Sequence, residues 1–185
     1  MACPNWRVRF AARIIHRGGV IAYPTEGVFG LGCDPRQKAA IERILQLKGR
    51  SVHKGFILIA ADFTQLQPYL LPLTASTRSR LEETWPGPVT WLLPARGDVP
   101  PWLRGRHDTL AVRVTAYPLA ACLCQTAGHA LVSTSANRAG RPPAQTTLQV
   151  RRSFGASLDY ILPGITGGRT GPSEIRDGST GRRLR

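Results

Sequence analysis

No apolar run in this sequence is long enough to cross a bilayer. The longest, such as Phe56 to Ala61 and Leu119 to Cys124, fall far short of the ~20 residues that a spanning helix needs. The cationic start at Arg7, Arg9 and Arg13 leads into no apolar segment, so no signal peptide is expected and a soluble cytoplasmic protein is. Cysteine is sparse: Cys3, Cys33, Cys122 and Cys124 show no CxxC spacing, and no pairing with histidine suggests zinc. They read as buried free thiols in a reducing compartment. His16, His53, His107 and His129 form neither HxH nor HExxH. There is no GxxxxGK[ST] loop, no GxGxxG after a strand and no GxSxG elbow, so any nucleotide site must be built another way.

Acidic residues are few as well. Asp and Glu total 11 against 25 Lys and Arg, a formal net charge of +14 on 185 residues. That balance points to an anionic partner: nucleic acid, nucleotide or an anionic membrane surface. Arginine supplies 22 of the 25 cations, which also looks like the codon bias of a GC-rich genome. In that setting Lys38, Lys48 and Lys54 hint at positions that want lysine. An apolar content of 42% excludes overall disorder, and the length suits one domain spanning 1–185.

Trp6, Phe10 and Ile14 recur at i, i+4 and i+8, which predicts an opening helix ended by Gly18-Gly19. Strands are expected at Val20 to Tyr23, Val28 to Leu31, Phe56 to Ala60, Val89 to Leu93, Leu110 to Val114, Ala130 to Ser133, Tyr160 to Leu162 and Ser173 to Arg176. Helices are expected at Gln37 to Leu47, Phe63 to Tyr69, Ala75 to Glu83, Leu119 to Ala127 and Gln145 to Phe154, the last with Thr146 or Thr147 as N-cap. Pro94 to Asp108 reads as a long surface loop, Gly164 to Gly171 as a flexible glycine-rich stretch, and the C-terminus as a basic tail. The irregular alternation argues for a layered α/β domain with a twisted mixed sheet flanked by helices.

Three segments carry chemistry. Tyr23 to Asp34, YPTEGVFGLGCD, ends a strand in a Pro-Thr-Glu turn and then places three glycines where a backbone could approach a ligand; a plain tight connection is the alternative. Lys48-Gly49-Arg50 with Lys54 close behind could clamp a phosphate or carboxylate, or simply cap a helix C-terminus with cations. Ser133-Thr134-Ser135-Ala136-Asn137 follows a strand, where α/β folds bind ligands, and is equally good turn and N-cap chemistry.

With LKGRSVHKGFILIA, WPGPVTWLLPA, LAVRVTAYP, LVSTSANRAGRPP and PSEIRD, these segments resemble the YrdC/Sua5 family in its short form, in the family's order from about Val20 to the C-terminus. The resemblance implies a YrdC/RibB-like mixed sheet around a large basic cavity. It implies an L-threonylcarbamoyladenylate synthase, a nucleotidyltransferase condensing L-threonine, bicarbonate or CO2, and ATP (with Mg2+), and releasing pyrophosphate. The product would pass to a tRNA threonylcarbamoyl transferase complex for N6-threonylcarbamoyladenosine in tRNAs reading ANN codons.

By the same resemblance Lys48 and Arg50 form the KxR pair of the catalytic site, binding triphosphate and carbamate. Lys54, Thr109, Ser135, Asn137 and Arg185 would contact ATP, and Thr25, Arg113, Ser133 and Ser173 would contact L-threonine. Arg113 would pair with the threonine carboxylate, and Asn137 would shape its loop. Three positions depart from the pattern: Gly27 replaces a frequent hydroxyl residue, Ser51 a frequent Pro, and Gly55 a Pro of the longer members. The competing reading is a double-stranded RNA or tRNA-binding module without catalysis, whose affinity would fall steeply with salt.

Overall fold

The computed structural model describes residues 5–169 and 173–185. Its strands are β1 (Ile21–Pro24), β2 (Phe29–Gly32), β3 (Ile57–Ala60), β4 (Val89–Pro94), β5 (Thr109–Val114), β6 (Leu131–Ser135), β7 (Tyr160–Ile161) and β8 (Glu174–Asp177). They form one sheet in the order β7-β1-β2-β6-β3-β5-β4-β8. Parallel pairs (β1/β7, β3/β5, β4/β8) mix with antiparallel ones (β1/β2, β2/β6, β3/β6, β4/β5), so the sheet is mixed as expected. The helices are α1 (Trp6–His16), α2 (Lys38–Lys48), α3 (Ala75–Glu82), α4 (Pro101–Arg104), α5 (Pro118–Ala127) and α6 (Thr147–Phe154).

Helices cover both faces of the sheet. Ala22, Phe29, Leu31, Leu58 and Val112 join a core with Ile41 and Ile44 of α2 and Val150 and Phe154 of α6. Ile21, Tyr23, Ile59 and Leu131 join a second core with α1 and α5. Successive residues of β1 thus serve opposite cores, which is why this strand reads as a continuous apolar run. α6 opens with a capping box in which the Thr146 hydroxyl takes the Gln149 N–H and the Gln149 side chain reaches back.

Several expectations are refined or corrected. α1 forms where predicted, and the stripe it turns inward is not the Trp6, Phe10, Ile14 series that signals it. Val8, Ala11, Ala12 and Ile15 are buried, whereas Trp6 is 62% and Phe10 41% exposed. The cause is close packing on α5, which brings Ala120, Cys124 and Ala127 to the same core. Small residues on both helices allow an approach that indole and phenyl rings would block; Phe10 instead stacks edge-on against Tyr160 at 5.1 Å. Phe63 to Tyr69 is two 3-10 turns, Phe63–Gln65 and Gln67–Tyr69, because Pro68 has no N–H to continue a helix. Cys33 and Cys124 are free and buried, but Cys122 is disulfide-bonded, and Cys3 lies outside the described residues. Part of the Gly164 to Gly171 stretch also lies outside them. No helix among the described residues is long and apolar enough to cross a membrane.

The segment from Pro94 to Asp108 is no free loop. It contains α4, opened by Pro101 in the first turn. Gly105 (φ +70°) and Gly55 (φ +59°) sit back to back with the segment after α2. A Cβ on Gly105 would stand 2.3 Å from the His53 carbonyl oxygen, and one on Gly55 2.9 Å from the Arg104 backbone. Phe56 N–H donates to the Leu103 carbonyl at 2.7 Å. The basic tail is also placed: Leu184 N–H donates to Ile175 at 2.7 Å and Asp177 N–H to Arg182 at 2.9 Å, folding the tail onto β8.

Candidate anion-binding cavity

Strand ends and their turns enclose a cavity of about 680 Å3. Of the residues singled out from the sequence, Thr25, Arg50, Lys54, Thr109, Arg113, Ser133, Ser135, Ser173 and Arg185 line it. Lys48 and Asn137 are not in the lining.

One wall is built from the β1–β2 turn, β5 and β6. Thr25 Oγ1 donates to the Val28 carbonyl at 2.7 Å and closes the turn, which presents Glu26 and Gly27 to the cavity. Gly27, lacking the hydroxyl frequent in the family, offers only backbone there. Arg113, buried on β5, places Nη2 3.3 Å from Glu26 Oε2. Glu26 Oε1 accepts from Thr115 Oγ1 at 2.7 Å. Arg113 Nε has no hydrogen-bond partner. Ser133, in the middle of β6, also lines the cavity, next to the fully buried Tyr23, whose hydroxyl is pushed to a higher pKa by burial.

Arg50, Lys54 and Arg185 lack a carboxylate partner among the described residues. Arg50 Nη2 donates to the Gly55 carbonyl at 3.0 Å, and its guanidinium lies 5.7 Å from the Phe56 ring centre. Its Nε is buried without a partner, and burial lowers the arginine's pKa. Lys54 and, at the start of β5, Thr109 also line the cavity. Arg185 donates to the Ser173 carbonyl through Nη2 (3.0 Å) and Nε (3.3 Å), while Ser173 Oγ accepts from Thr90 Oγ1 at 3.2 Å. Carbonyl oxygens orient these guanidinium groups without neutralising them.

Lys48 works behind the wall. Gly49 ends α2 in the left-handed region (φ +60°), and Lys48 turns into the protein. Its Nζ donates to the carbonyls of Ser135 and Asn137 (the latter at 2.8 Å) and to Asn137 Oδ1 at 3.1 Å. Ser135 Oγ donates to the same Oδ1 at 2.5 Å, and Asn137 Nδ2 donates to Arg138 and Arg141 carbonyls at 3.1 and 2.7 Å. Lys48 and Asn137 thus fasten the Ser133–Asn137 segment in place. Burial lowers the Lys48 pKa to about 8, with the nearby Arg50 charge acting in the same direction.

Sequence reasoning assigned no role to Glu26, Arg104, His107 or Arg169, which also line the cavity. Glu26 carried a signal: it is an acid beside a candidate threonine contact in an acid-poor chain. Arg104 and His107 carried none, because only the glycine interlock brings their segment over the cavity.

A mixed sheet with a cation-lined, hydroxyl-rich cavity defines an α/β protein with a candidate anion site. The family model described as telomere recombination, Sua5/YciO/YrdC, matches residues 13–185. The chain belongs to this family. It is 90% identical over its full length, and that of the relative, to the threonylcarbamoyl-AMP synthase of Nitrosococcus oceani. It is 54% identical to the protein of that name from Halorhodospira halophila, covering 97% of this chain and 94% of the relative. Among solved structures it superposes on P. abyssi Sua5 complexed with L-threonine with a TM-score of 0.85 at 33% identity, covering 93% of this chain and 51% of that one. It superposes on E. coli YciO with a TM-score of 0.83 at 26% identity, covering 95% and 86%. The chain spans about half the length of the Sua5 structure, 51%, and 86% of YciO.

Proposed function

We propose that this protein is a threonylcarbamoyl-AMP synthase, a nucleotidyltransferase that condenses L-threonine, bicarbonate or CO2, and ATP. The observation that carries the reading is that one cavity is lined by two kinds of cation: a buried, carboxylate-paired Arg113 together with Thr25 and Ser133, and Arg50, Lys54 and Arg185, which have no carboxylate partner among the described residues. The high identity to proteins bearing that name supports it.

The chemistry asks for such a division. The threonine amine, as free base, attacks CO2, and loss of one N–H proton to water leaves a carbamate. A carbamate oxygen then bonds to the α-phosphorus of ATP as the bond from that phosphorus to the bridging oxygen breaks, and pyrophosphate leaves. Two anions must approach each other, so catalysis rests on positioning and on cations already in place. Arg113 takes the amino-acid carboxylate, with Thr25 and Ser133 beside it, and Ser173 contacts the amino acid from the side of Arg185, which its carbonyl holds. Arg50, Lys54 and Arg185 take the triphosphate, and Thr109 and Ser135 the remaining nucleotide. Lys48 and Asn137 hold the segment that carries Ser133 and Ser135.

No group of three or more metal-binding side chains occurs among the described residues, and the acid in the cavity lining, Glu26, is already paired. That fits Mg2+ arriving on the ATP phosphates, which would supply charge neutralisation and keep several waters of its own. The product feeds a tRNA-modifying transferase in the cytoplasm.

The test is pyrophosphate release by purified protein with ATP and Mg2+, together with mass detection of the adenylate. Release that requires both L-threonine and bicarbonate is expected. Release indifferent to either, or none, overturns the reading.

A further inference from the structure

Two glycines on one face of β2 answer to different needs. At Gly32 a Cβ would stand 2.5 Å from the Val132 carbonyl oxygen and 2.7 Å from the Tyr23 ring, so packing excludes any side chain. At Gly30 it would stand 3.4 Å from Ser133 Oγ, 3.4 Å from Tyr23 Cζ and 3.5 Å from Thr25 Cγ2, which are ordinary contact distances. Gly30 is also not among the glycines with positive φ. Neither backbone conformation nor packing requires glycine here, and glycine inside a strand carries an entropic cost.

The empty position belongs to the cavity: Gly30, Thr25, Ser133 and Arg113 all line it. We propose that Gly30 sets the size of the amino-acid subsite, its missing side chain being the room that the substrate's own side chain occupies. The borders of that room are chemically divided. Ser133 Oγ offers a hydrogen bond, while Thr25 Cγ2 offers apolar contact. These match the two substituents, hydroxyl and methyl, on the β-carbon of a β-branched hydroxy amino acid. An alanine methyl at this position would occupy the same volume and leave room for serine rather than threonine. The inference rests on the synthase reading above.

The test compares wild type with Gly30→Ala, and follows pyrophosphate release while L-threonine, L-serine and ATP are varied in turn. One methyl group in a fitted pocket changes discrimination by about 10- to 200-fold. KM for L-threonine should therefore rise by about tenfold or more. The preference for threonine over serine in kcat/KM should fall by a similar factor, and KM for ATP should stay within about twofold. A folded variant with unchanged KM for threonine overturns the proposal, as does an equal rise in both KM values. A variant that does not fold also overturns it, since Gly30 would then be a packing glycine like Gly32. Thr25→Ser tests the same room from its other side: removing Cγ2 while keeping the hydroxyl should also lower the preference for threonine over serine, and an unchanged preference counts against the proposal. The wild-type arm is separate: if it releases no threonine-dependent pyrophosphate, the synthase reading itself fails.

Discussion

The two walls of the cavity carry the same sign of charge and treat it in opposite ways. On the β5 side Arg113 is buried and pre-paired, with Glu26 at 3.3 Å and Thr115 holding that carboxylate from behind. On the other side Arg50 and Arg185 rest on carbonyl oxygens, which orient a guanidinium but leave its charge whole. A pre-paired cation inside low-dielectric surroundings is tolerable in the empty protein, and its local field is partly cancelled. Such a wall suits a ligand that is itself nearly neutral, such as an amino-acid zwitterion. A wall of unneutralised cations suits a polyanion. The total charge of +14 conceals this difference, since every cation counts alike in it.

The largest expected effect breaks the paired wall. Arg113→Ala removes the carboxylate contact and leaves Glu26 as a buried, unpaired charge. Threonine-dependent turnover should fall by about 10²-fold or more, and stability by about 3–5 kcal/mol, read together from pyrophosphate release and urea unfolding. Arg50→Ala sharpens the contrast. Turnover should again fall by about 10²-fold, but stability should change by less than about 1 kcal/mol because no carboxylate is abandoned. Equal destabilisation by both substitutions would dissolve the distinction between the walls.

Lys48 gives the third prediction, in pH. Its folded pKa is near 8, below the ordinary 10.5. Between these values the unfolded chain binds more protons than the folded one, so stability rises with pH from about 8 to 10.5 and is flat, from this group, outside that window. The gain is on the order of 1–3 kcal/mol, since each unit is worth about 1.4. The buried Cys33 and Cys124 thiols and the Tyr23 hydroxyl, whose pKa values burial raises, act in the opposite direction but equally in both proteins, so the measurement is a difference: the stability of wild type relative to Lys48→Met should rise by this amount between pH 7.5 and pH 10. The smallest effect lies away from both walls. Thr146→Ala removes the α6 cap and should cost about 1 kcal/mol, with unchanged kinetics.

Much of the fold was legible because apolar periodicity and turn residues agree along most of the chain. Gln37 to Leu47 and Val89 to Leu93 fall within a residue or two of α2 and β4. The α1 helix was legible but its inward face was not, because periodicity specifies a helix without saying which of two overlapping apolar faces packs inward. That choice belongs to the partner helix, about 110 residues away. In the site, the residues matching family motifs line the cavity except Lys48 and Asn137, whose side chains are consumed by each other and by carbonyls. A sequence records that a lysine is present, and contacts across 87–89 residues decide which way it points. Arg104 and His107 were invisible for a related reason: their place depends on two backbones touching through Gly55 and Gly105.

That interlock has a consequence for how the protein can vary. Surface loops ordinarily absorb insertions and deletions at little cost, and family members drift apart through them. Here neither segment is at liberty to change length by itself. An added residue near Gly55 would push its neighbour's backbone, and with it Arg104, His107 and Arg50, out of the cavity. Diversification in this part of the molecule is therefore confined to positions that leave both glycines facing each other, and a single insertion there would register as lost activity well before it registered as lost stability.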